Sequence, residues 1–298
     1  MSVTSAPAPA IPLSTIQPFG VRFRLKGVPW IPLFILTLVM IGAIGGEYIT
    51  PHDPNALNLG AAFRPPFWQA GGSTEYLLGT DNLGRDVLSK IMVGARVSVI
   101  VAFYAIIFSG AIGTLLGIIA GYFGGWIDTV IVRIAEIKMS IPGLALALIL
   151  SATLDPGLTT VIIVIVFTYW TWYARIIRSE ILSLKERDYV AFAKVAGCGP
   201  LTIFRRHLLP NIFNTLLVLA TLQVGQVIIF EASRSFLGLG IQPPDVSWGL
   251  MLADARQYIT YAWWGITMPG IAIMLTCLSS NLTGDWLRDL LDPQRRQL

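Results

Sequence analysis

The sequence predicts an all-α, multi-pass membrane protein with six transmembrane helices and both termini in the cytosol. Three observations carry this. The 298-residue chain is 54% hydrophobic and 13% charged, whereas a soluble domain holds about 25% charged residues. It contains six mostly apolar runs, at roughly 29–49, 97–121, 127–151, 157–176, 210–231 and 262–283, and a helix needs about 20 such residues to cross a bilayer. With the N-terminus inside, thirteen lysines and arginines fall in inner segments and six in outer ones, the bias that sets orientation.

Taken in order, the stretch up to Gly20 is rich in Pro, Ala and Ser and reads as disordered, so residues 1–28 are a cytosolic tail. Arg22, Arg24 and Lys26 precede an apolar run, as in a signal peptide. The run reaches Ile49, too long for a signal core, and no small-residue cleavage site follows. It is read as an uncleaved first span, 29–49. Segment 50–96 is then extracytoplasmic. It opens on the turn-forming Pro51-His52-Asp53-Pro54-Asn55 and ends, from Leu78 to Lys90, on a helix start that Asp81 or Asp86 can cap.

Residues 97–283 form a five-helix core. Gly110, Gly113 and Gly117 suit close helix contact. The third span is interrupted by Asp128, Arg133, Glu136 and Lys138, expected to face the bundle interior or the interface rather than lipid. Pro142-Gly143 should bend it, with neighbouring helices satisfying the freed backbone. The long basic stretch 177–209 is cytosolic. Segment 232–261 is outside, with an apolar re-entrant or surface piece (Phe236 to Gly240) and a rigid turn at Pro243-Pro244. Residues 284–298 form a second cytosolic tail. No internal repeat is evident.

No catalytic constellation is present, and no glycine-rich phosphate loop with its lysine. Gly238-Leu239-Gly240 and the glycines of 121–125 are read as turns and packing. Cys198 and Cys277 have no metal spacing or pairing logic, and His52 and His207 are too few for a metal site. The net charge of +4 would ordinarily suggest nucleic acid or anionic lipid; here the basic residues flank apolar runs, so it reflects topology. Asn281-Leu282-Thr283 matches a glycosylation sequon but faces the cytosol. Glu231 stands three residues before Arg234, which favours an i,i+3 ion pair over a substrate or proton site. Glu136, between Arg133 and Lys138, reads as part of a self-neutralised cluster. Trp170, Trp172 and Tyr173 at one end and Trp263 and Trp264 at another suit interfacial aromatic belts, with a pathway-lining role for Trp170 or Trp172 as the weaker alternative.

The most informative stretch is Asp188 to Asn211. A short helix with Ala191, Ala193 and Ala196 ends at Gly197, which permits a left-handed turn. An amphipathic piece follows to Leu209-Pro210, with Pro210 in the first turn of the next span. A flexible connector would be richer in Gly, Ser and charge. Small residues along one face let a partner approach closely; the plainer reading is a solvated amphipathic loop helix.

Blocks in order support that emphasis: Gly79-Thr80-Asp81 with Gly84-Arg85-Asp86; Gly94-Ala95-Arg96; Gly124-Gly125-Trp126-Ile127-Asp128; Ala174-Arg175 with Arg178; the 188–211 stretch; Phe236 to Gly240, Pro243-Pro244 and Ser247-Trp248-Gly249; and Asn281-Leu282, Gly284-Asp285, Arg288-Asp289 to Leu291-Asp292-Pro293. From about Leu25 to Pro293 the chain resembles the permeases of the peptide/nickel class of ABC importers, specifically the second membrane subunit of dipeptide and oligopeptide systems. The resemblance implies the type I importer permease fold in a bacterial or archaeal cytoplasmic membrane. It implies a homologous permease, two cytosolic ATPase subunits or domains that bind ATP and Mg, an extracytoplasmic binding protein, and a di- or oligopeptide substrate. No cofactor in this chain and no nucleic acid are expected. It assigns coupling to the ATPases to Asp188, Tyr189, Ala191, Phe192, Ala193, Lys194, Gly197, Leu209 and Pro210. In the family's Glu-Ala-Ala pattern, Ala191, Phe192 and Ala193 take the three places, so the glutamate is absent. Arg234 stands where an apolar residue is expected. With Glu231, Trp170 and Trp172 it is a candidate gate or pathway residue. Nickel chelates, glutathione and oligosaccharides use similar permeases. An ion-driven transporter would need inverted repeats and unpaired midplane acids, and a non-transport membrane scaffold or sensor would leave the ordered outer blocks unexplained.

Overall fold

Glycines set the centre of the fold. The computed structural model describes residues 27–291; the tail through Gly20, the basic residues Arg22, Arg24 and Lys26, and Arg295 and Arg296 lie outside the described residues. Helix α2 (Val87–Phe123) and helix α5 (Leu158–Leu184) pack along much of their lengths. Gly113, Gly117 and Gly121 recur every four residues and so share one face of α2. A Cβ on Gly113 would lie 2.3 Å from the Trp170 carbonyl oxygen, one on Gly117 2.7 Å from that of Ala174, and one on Gly121 2.9 Å from Ile181 Cβ. Contacts advance in the same direction along both helices, so α2 and α5 are parallel, which requires a returning span between them.

That span is broken. Helix α3 (Gly125–Ser140) and helix α4 (Gly143–Ser151) meet at 87°. The residue before a proline is driven out of the helical region, and Ile141 adopts ψ 121°, ending α3. Among the described residues five helices are long and apolar enough to cross a membrane, and the α3–α4 pair makes a sixth. Helix α1 (Trp30–Ile49) lies on α2 through Gly42 and Gly46, where an added Cβ would sit 3.2 Å from the Met92 carbonyl oxygen. The short helices α6 (Asp188–Val195) and α7 (Pro200–Ile203) follow α5. Helix α8 (Leu209–Phe236), the short α9 (Trp248–Ala255) and α10 (Trp264–Leu291) complete the bundle, with α10 packed along α8. Cys277 is buried there, its thiol 3.5 Å from the Gly225 carbonyl oxygen, a packing residue as its surroundings in sequence suggest.

Helices outrun the apolar runs that signal them. α2 starts at Val87, well before residue 97, because Asp86 caps it, accepting from the backbone N–H of Leu88 (3.3 Å) and Ser89 (3.1 Å) and from the Ser89 hydroxyl (2.6 Å). α5 continues to Leu184, so the first part of the 177–209 stretch is helix rather than loop. α10 likewise continues to Leu291. Losing an N-cap costs about 1–2 kcal/mol, so Asp86→Ala is expected to lower the melting temperature of the purified protein by a few degrees, while Asp86→Asn retains most of the cap.

The core gathers Val101, Ala105, Val161, Ile165, Val227 and Ile228 from three of the long helices. Two tryptophans close it. Trp248 Nε1 donates to the Ile91 carbonyl and Trp264 Nε1 to that of Thr80, each at 2.9 Å. Trp264 is therefore an interior residue rather than part of an interfacial belt: its indole N–H has a buried partner that only the folded 61–86 segment supplies.

Candidate functional site

Helix α6 shows two faces. Val190 and Ala193, three residues apart, point inward onto Ile177 and Ile181 of α5, Ile118 of α2, Ile203 of α7, Leu208, and Ile212 of α8. Asp188, Tyr189, Ala191, Phe192 and Lys194 are exposed. Asp188 sits in the first turn, where the helix dipole favours an acid. Tyr189 lies 6.2 Å from the His207 ring and the Lys194 ammonium 5.8 Å from that of Tyr122. The helix ends in a left-handed turn. Gly197, at φ +79°, donates to the Lys194 carbonyl and Cys198 to that of Ala193, both at 3.0 Å, the paired bonds of a glycine-stopped helix.

The outer face of this α6–α7 platform is apolar. Phe192 is 72% exposed, Val195 87% and Leu201 68%. Val195 and Leu201 were not singled out from the sequence; the signal was present, since Val195 follows Phe192 at helical spacing on the face opposite Val190 and Ala193. Ala193 belongs to the anchor, not to the exposed face. The platform has a stiff base: Arg178 of α5 grips Asp128 of α3 with two bonds of 2.5 and 2.6 Å, and the Lys185 ammonium donates to the Gly121 carbonyl at 3.0 Å.

Leu209 and Pro210 do not sit at a loop end. The chain is helical without interruption from Pro200 to Phe236. A proline lacks an N–H and its ring clashes with the carbonyl four residues back; the helix widens just before it into a π-turn, Phe204–Leu208, where Leu209 N–H donates to the Phe204 carbonyl. Leu209 is half-buried and Pro210 exposed at this junction.

The α3 charges do not form one cluster. Arg133 pairs with Glu136 at 2.8 Å on an exposed face, while the Lys138 ammonium turns inward to donate to the Thr168 carbonyl of α5. Local spacing alone places these residues near one another; the packing against α5 separates them.

At the opposite end of the bundle lie Glu231 (0% exposed) and Arg234 (1%). The expected ion pair between them is not made. Glu231 accepts from the Ser235 hydroxyl at 2.8 Å, with Ser98 of α2 and Ser247 beside it. Arg234 Nη2 reaches across to the Ser151 hydroxyl of α4 (2.7 Å) and the Leu239 carbonyl (2.8 Å). Trp170 is also misassigned by the belt reading: it is buried between Ala135, Ala174 and Leu116, in the middle of α5. Trp172 is exposed, on an open groove of about 860 Å³ that Met139, Arg175 and Ile176 also line. Trp170 and Trp172 therefore face different surroundings, and neither meets Glu231 or Arg234.

The blocks of the 79–90 stretch come together beside this end. Asp81 accepts from the backbone of Leu83 and Arg85 (2.9 Å each), pairs with the Arg85 guanidinium (2.7 Å) and the Lys90 ammonium (2.9 Å), and Arg85 also reaches Asp254 (3.4 Å). So Asp86, not Asp81, is the cap. Burial pushes the Asp81 carboxyl up, but Lys90 and Arg85 outweigh it and hold the group below the usual carboxylate value. A depressed carboxyl stabilises the fold above its unfolded value of about 3.9 and loses that contribution as pH falls through the folded value. Thermal stability is expected to drop below about pH 4, and Asp81→Asn to flatten that part of the profile.

The chain is similar to known proteins. A family model described as "Binding-protein-dependent transport system inner membrane component" matches residues 113–297. The "Dipeptide transport system permease protein DppC" of Haemophilus influenzae is 38% identical over 295 residues, 99% of this chain and 100% of that protein. The protein of the same description in Escherichia coli K12 is 41% identical over 99% of this chain and 97% of its own length. A chain of the inward-facing MetNI methionine ABC transporter, in its CY5 native crystal form, superposes with a TM-score of 0.57 at 18% identity, over 69% of this chain and 98% of that one.

Proposed function

The chain belongs to the family of binding-protein-dependent transport system inner membrane components, and on that premise we propose that it is one of two homologous permease subunits of an ATP-driven importer of di- and oligopeptides. The observation that carries the mechanism is the α6–α7 platform: an apolar, exposed face on a rigid base. It lies among the basic segments that the charge bias puts in the cytosol. Both termini share that side, and α9 with the 50–86 segment faces out. The membrane is a bacterial or archaeal cytoplasmic membrane.

In this reading the chain does no covalent chemistry. Two ATPase subunits or domains hold ATP and Mg and grip Phe192, Val195 and Leu201. Asp188, Tyr189, Ala191 and Lys194 border that contact. Gly197 fixes where α6 ends, and the Leu209-Pro210 junction joins the platform to α8. When the ATPases close they displace α6. Val190 and Ala193 pack on α5 and α8, so the push moves those helices as a body and switches the bundle between inward- and outward-open states. Coupling between distant sites needs such a two-state element that both bias. An extracytoplasmic binding protein delivers the peptide to the α9 side. The peptide class rests on relatives described as dipeptide permeases at 38–41% identity.

The test is ATPase activity of this chain co-expressed with its sister permease and ATPase subunits in lipid nanodiscs, with and without the binding protein and di- to pentapeptides. Stimulation by peptide is expected. A stable complex that peptides do not stimulate would overturn the substrate class, and failure to assemble with any ATPase would overturn the importer mechanism.

A further inference from the structure

We propose that Arg234 is a positioning residue of the outward gate, holding the tip of α4 through Ser151 and releasing it by turning to Glu231 on its own helix. Helix α4 is short: nine residues set at 87° to α3 and continued by the exposed residues 152–156. Its first turn is seated by Gly143, where an added Cβ would lie 3.3 Å from both the Phe230 ring and the Thr168 methyl. Leu146 and Ala147 are buried in its middle. At its far end one amino group does the holding. Arg234 Nη2 donates to Ser151 Oγ and to the Leu239 carbonyl, tying the α4 tip to the linker between α8 and α9.

The rest of that guanidinium is unspent. Arg234 Nε and Nη1 are buried without a hydrogen-bond partner, and so is Glu231 Oε2. A guanidinium carries five N–H donors in a planar fork that matches a carboxylate, and buried polar groups left unpaired are costly. Residues three apart on a helix are neighbours on its surface. A rotation of the Arg234 side chain therefore offers a second complete arrangement, with the fork on Glu231 and the α4 tip free. Freeing the tip gives up two hydrogen bonds from the charged guanidinium and gains an ion pair with charge-assisted bonds of its own. The side chain then has two discrete states, of which only one needs α4 in place. The Ser235 hydroxyl holds Glu231 Oε1 in the first state, which leaves Oε2 open to the fork in the second.

The mobility arm of the test stands on this geometry alone; the ATPase arm rests on the importer reading. A nitroxide on Thr153→Cys, in a background of Cys198→Ser and Cys277→Ala, reports the α4 tip by electron paramagnetic resonance in nanodiscs. Ser151→Ala and Arg234→Leu are each expected to raise the mobile-to-immobile ratio roughly tenfold, the loss of one hydrogen bond to a charged group. The double variant should go no further than either single one, since both remove the same link. Glu231→Gln should lower the ratio, and Arg234→Lys should restore part of the hold. In the assembled transporter Ser151→Ala should change the peptide-stimulated ATPase rate with the peptide KM unaltered. An unchanged label in Ser151→Ala, or additive effects of the two substitutions, would overturn the proposal. Should Arg234→Leu fail to insert, Ser151→Ala and Glu231→Gln decide it. Should the unaltered complex show no peptide stimulation, the importer reading fails while the mobility results still judge the latch.

Discussion

Phe192→Asp is expected to reduce ATP-driven uptake by at least roughly tenfold while leaving the chain folded and inserted, because a central aromatic at a protein interface is worth about 2–4 kcal/mol and tenfold is about 1.4 kcal/mol. The side chain is 72% exposed, on the face of α6 turned away from the buried Val190 and Ala193. Surface substitutions of that kind stay within about 0.5 kcal/mol for the isolated fold. The burden then falls on the docked state, where the carboxylate must be desolvated against an apolar partner. Co-purification of the ATPase subunits and peptide uptake in proteoliposomes should fall together, with size-exclusion profile and melting temperature unchanged. Phe192→Leu should retain most of both. Two other substitutions on α6 are poorer probes. Ala193→Glu strikes the buried anchor on Ile177 and Ile181, and Gly197→Pro forces a ring onto a position at φ +79°, which a proline cannot adopt. Each would damage the platform itself. Normal uptake and normal ATPase recovery with Phe192→Asp would remove the platform from the coupling mechanism.

Gly113→Ala is expected to be the most damaging single methyl at a glycine of the long helices. The added carbon would lie 2.3 Å from the Trp170 carbonyl oxygen, 2.6 Å from Tyr173 Cβ and 3.0 Å from the Ala174 nitrogen. These are largely backbone atoms of a helix buried along that face, so α5 itself must move. Overpacking costs about 1–3 kcal/mol where side chains can give way, and here the obstacle is main chain, so the upper end or beyond is expected. Gly110→Ala is the control: its added carbon would meet only the Tyr173 ring, at 3.5 Å, an ordinary contact. Folded yield after extraction and the melting temperature should rank Gly110→Ala close to the parent and Gly113→Ala far below it, with Gly117→Ala between. Equal stability of the Gly110 and Gly113 variants would show that α2 and α5 do not depend on this close approach.

The same glycines mark how far sequence reading reaches. Helix number and rough position follow from run length and hydropathy, since a bilayer sets both. Individual side chains with a local reason were also legible: a cap at Asp81 or Asp86, of which the structure takes Asp86, Pro142 as a breaker, Gly197 as a stop, each acting on backbone within a few residues of itself. The assignments of charged and tryptophan side chains that failed needed a partner from elsewhere in the chain. Trp264 has the composition of a belt residue, yet its indole N–H is answered by Thr80. Glu231 and Arg234 have the spacing of an ion pair, yet Ser151 of a different helix takes the guanidinium. Lys138 stands beside Glu136 in sequence and donates to Thr168 instead.

What the sequence alone determined is therefore a six-span helical membrane protein and the location of an ordered segment between the fourth and fifth spans. Tertiary structure decided which face of α6 is anchored and which is presented, and which charges meet. The physical reason is one of range. Helical spacing dictates neighbours on one helix, but the partner across an interface depends on how two helices are rotated and set in register. In this chain the contact of Gly113, Gly117 and Gly121 with the α5 backbone sets that register.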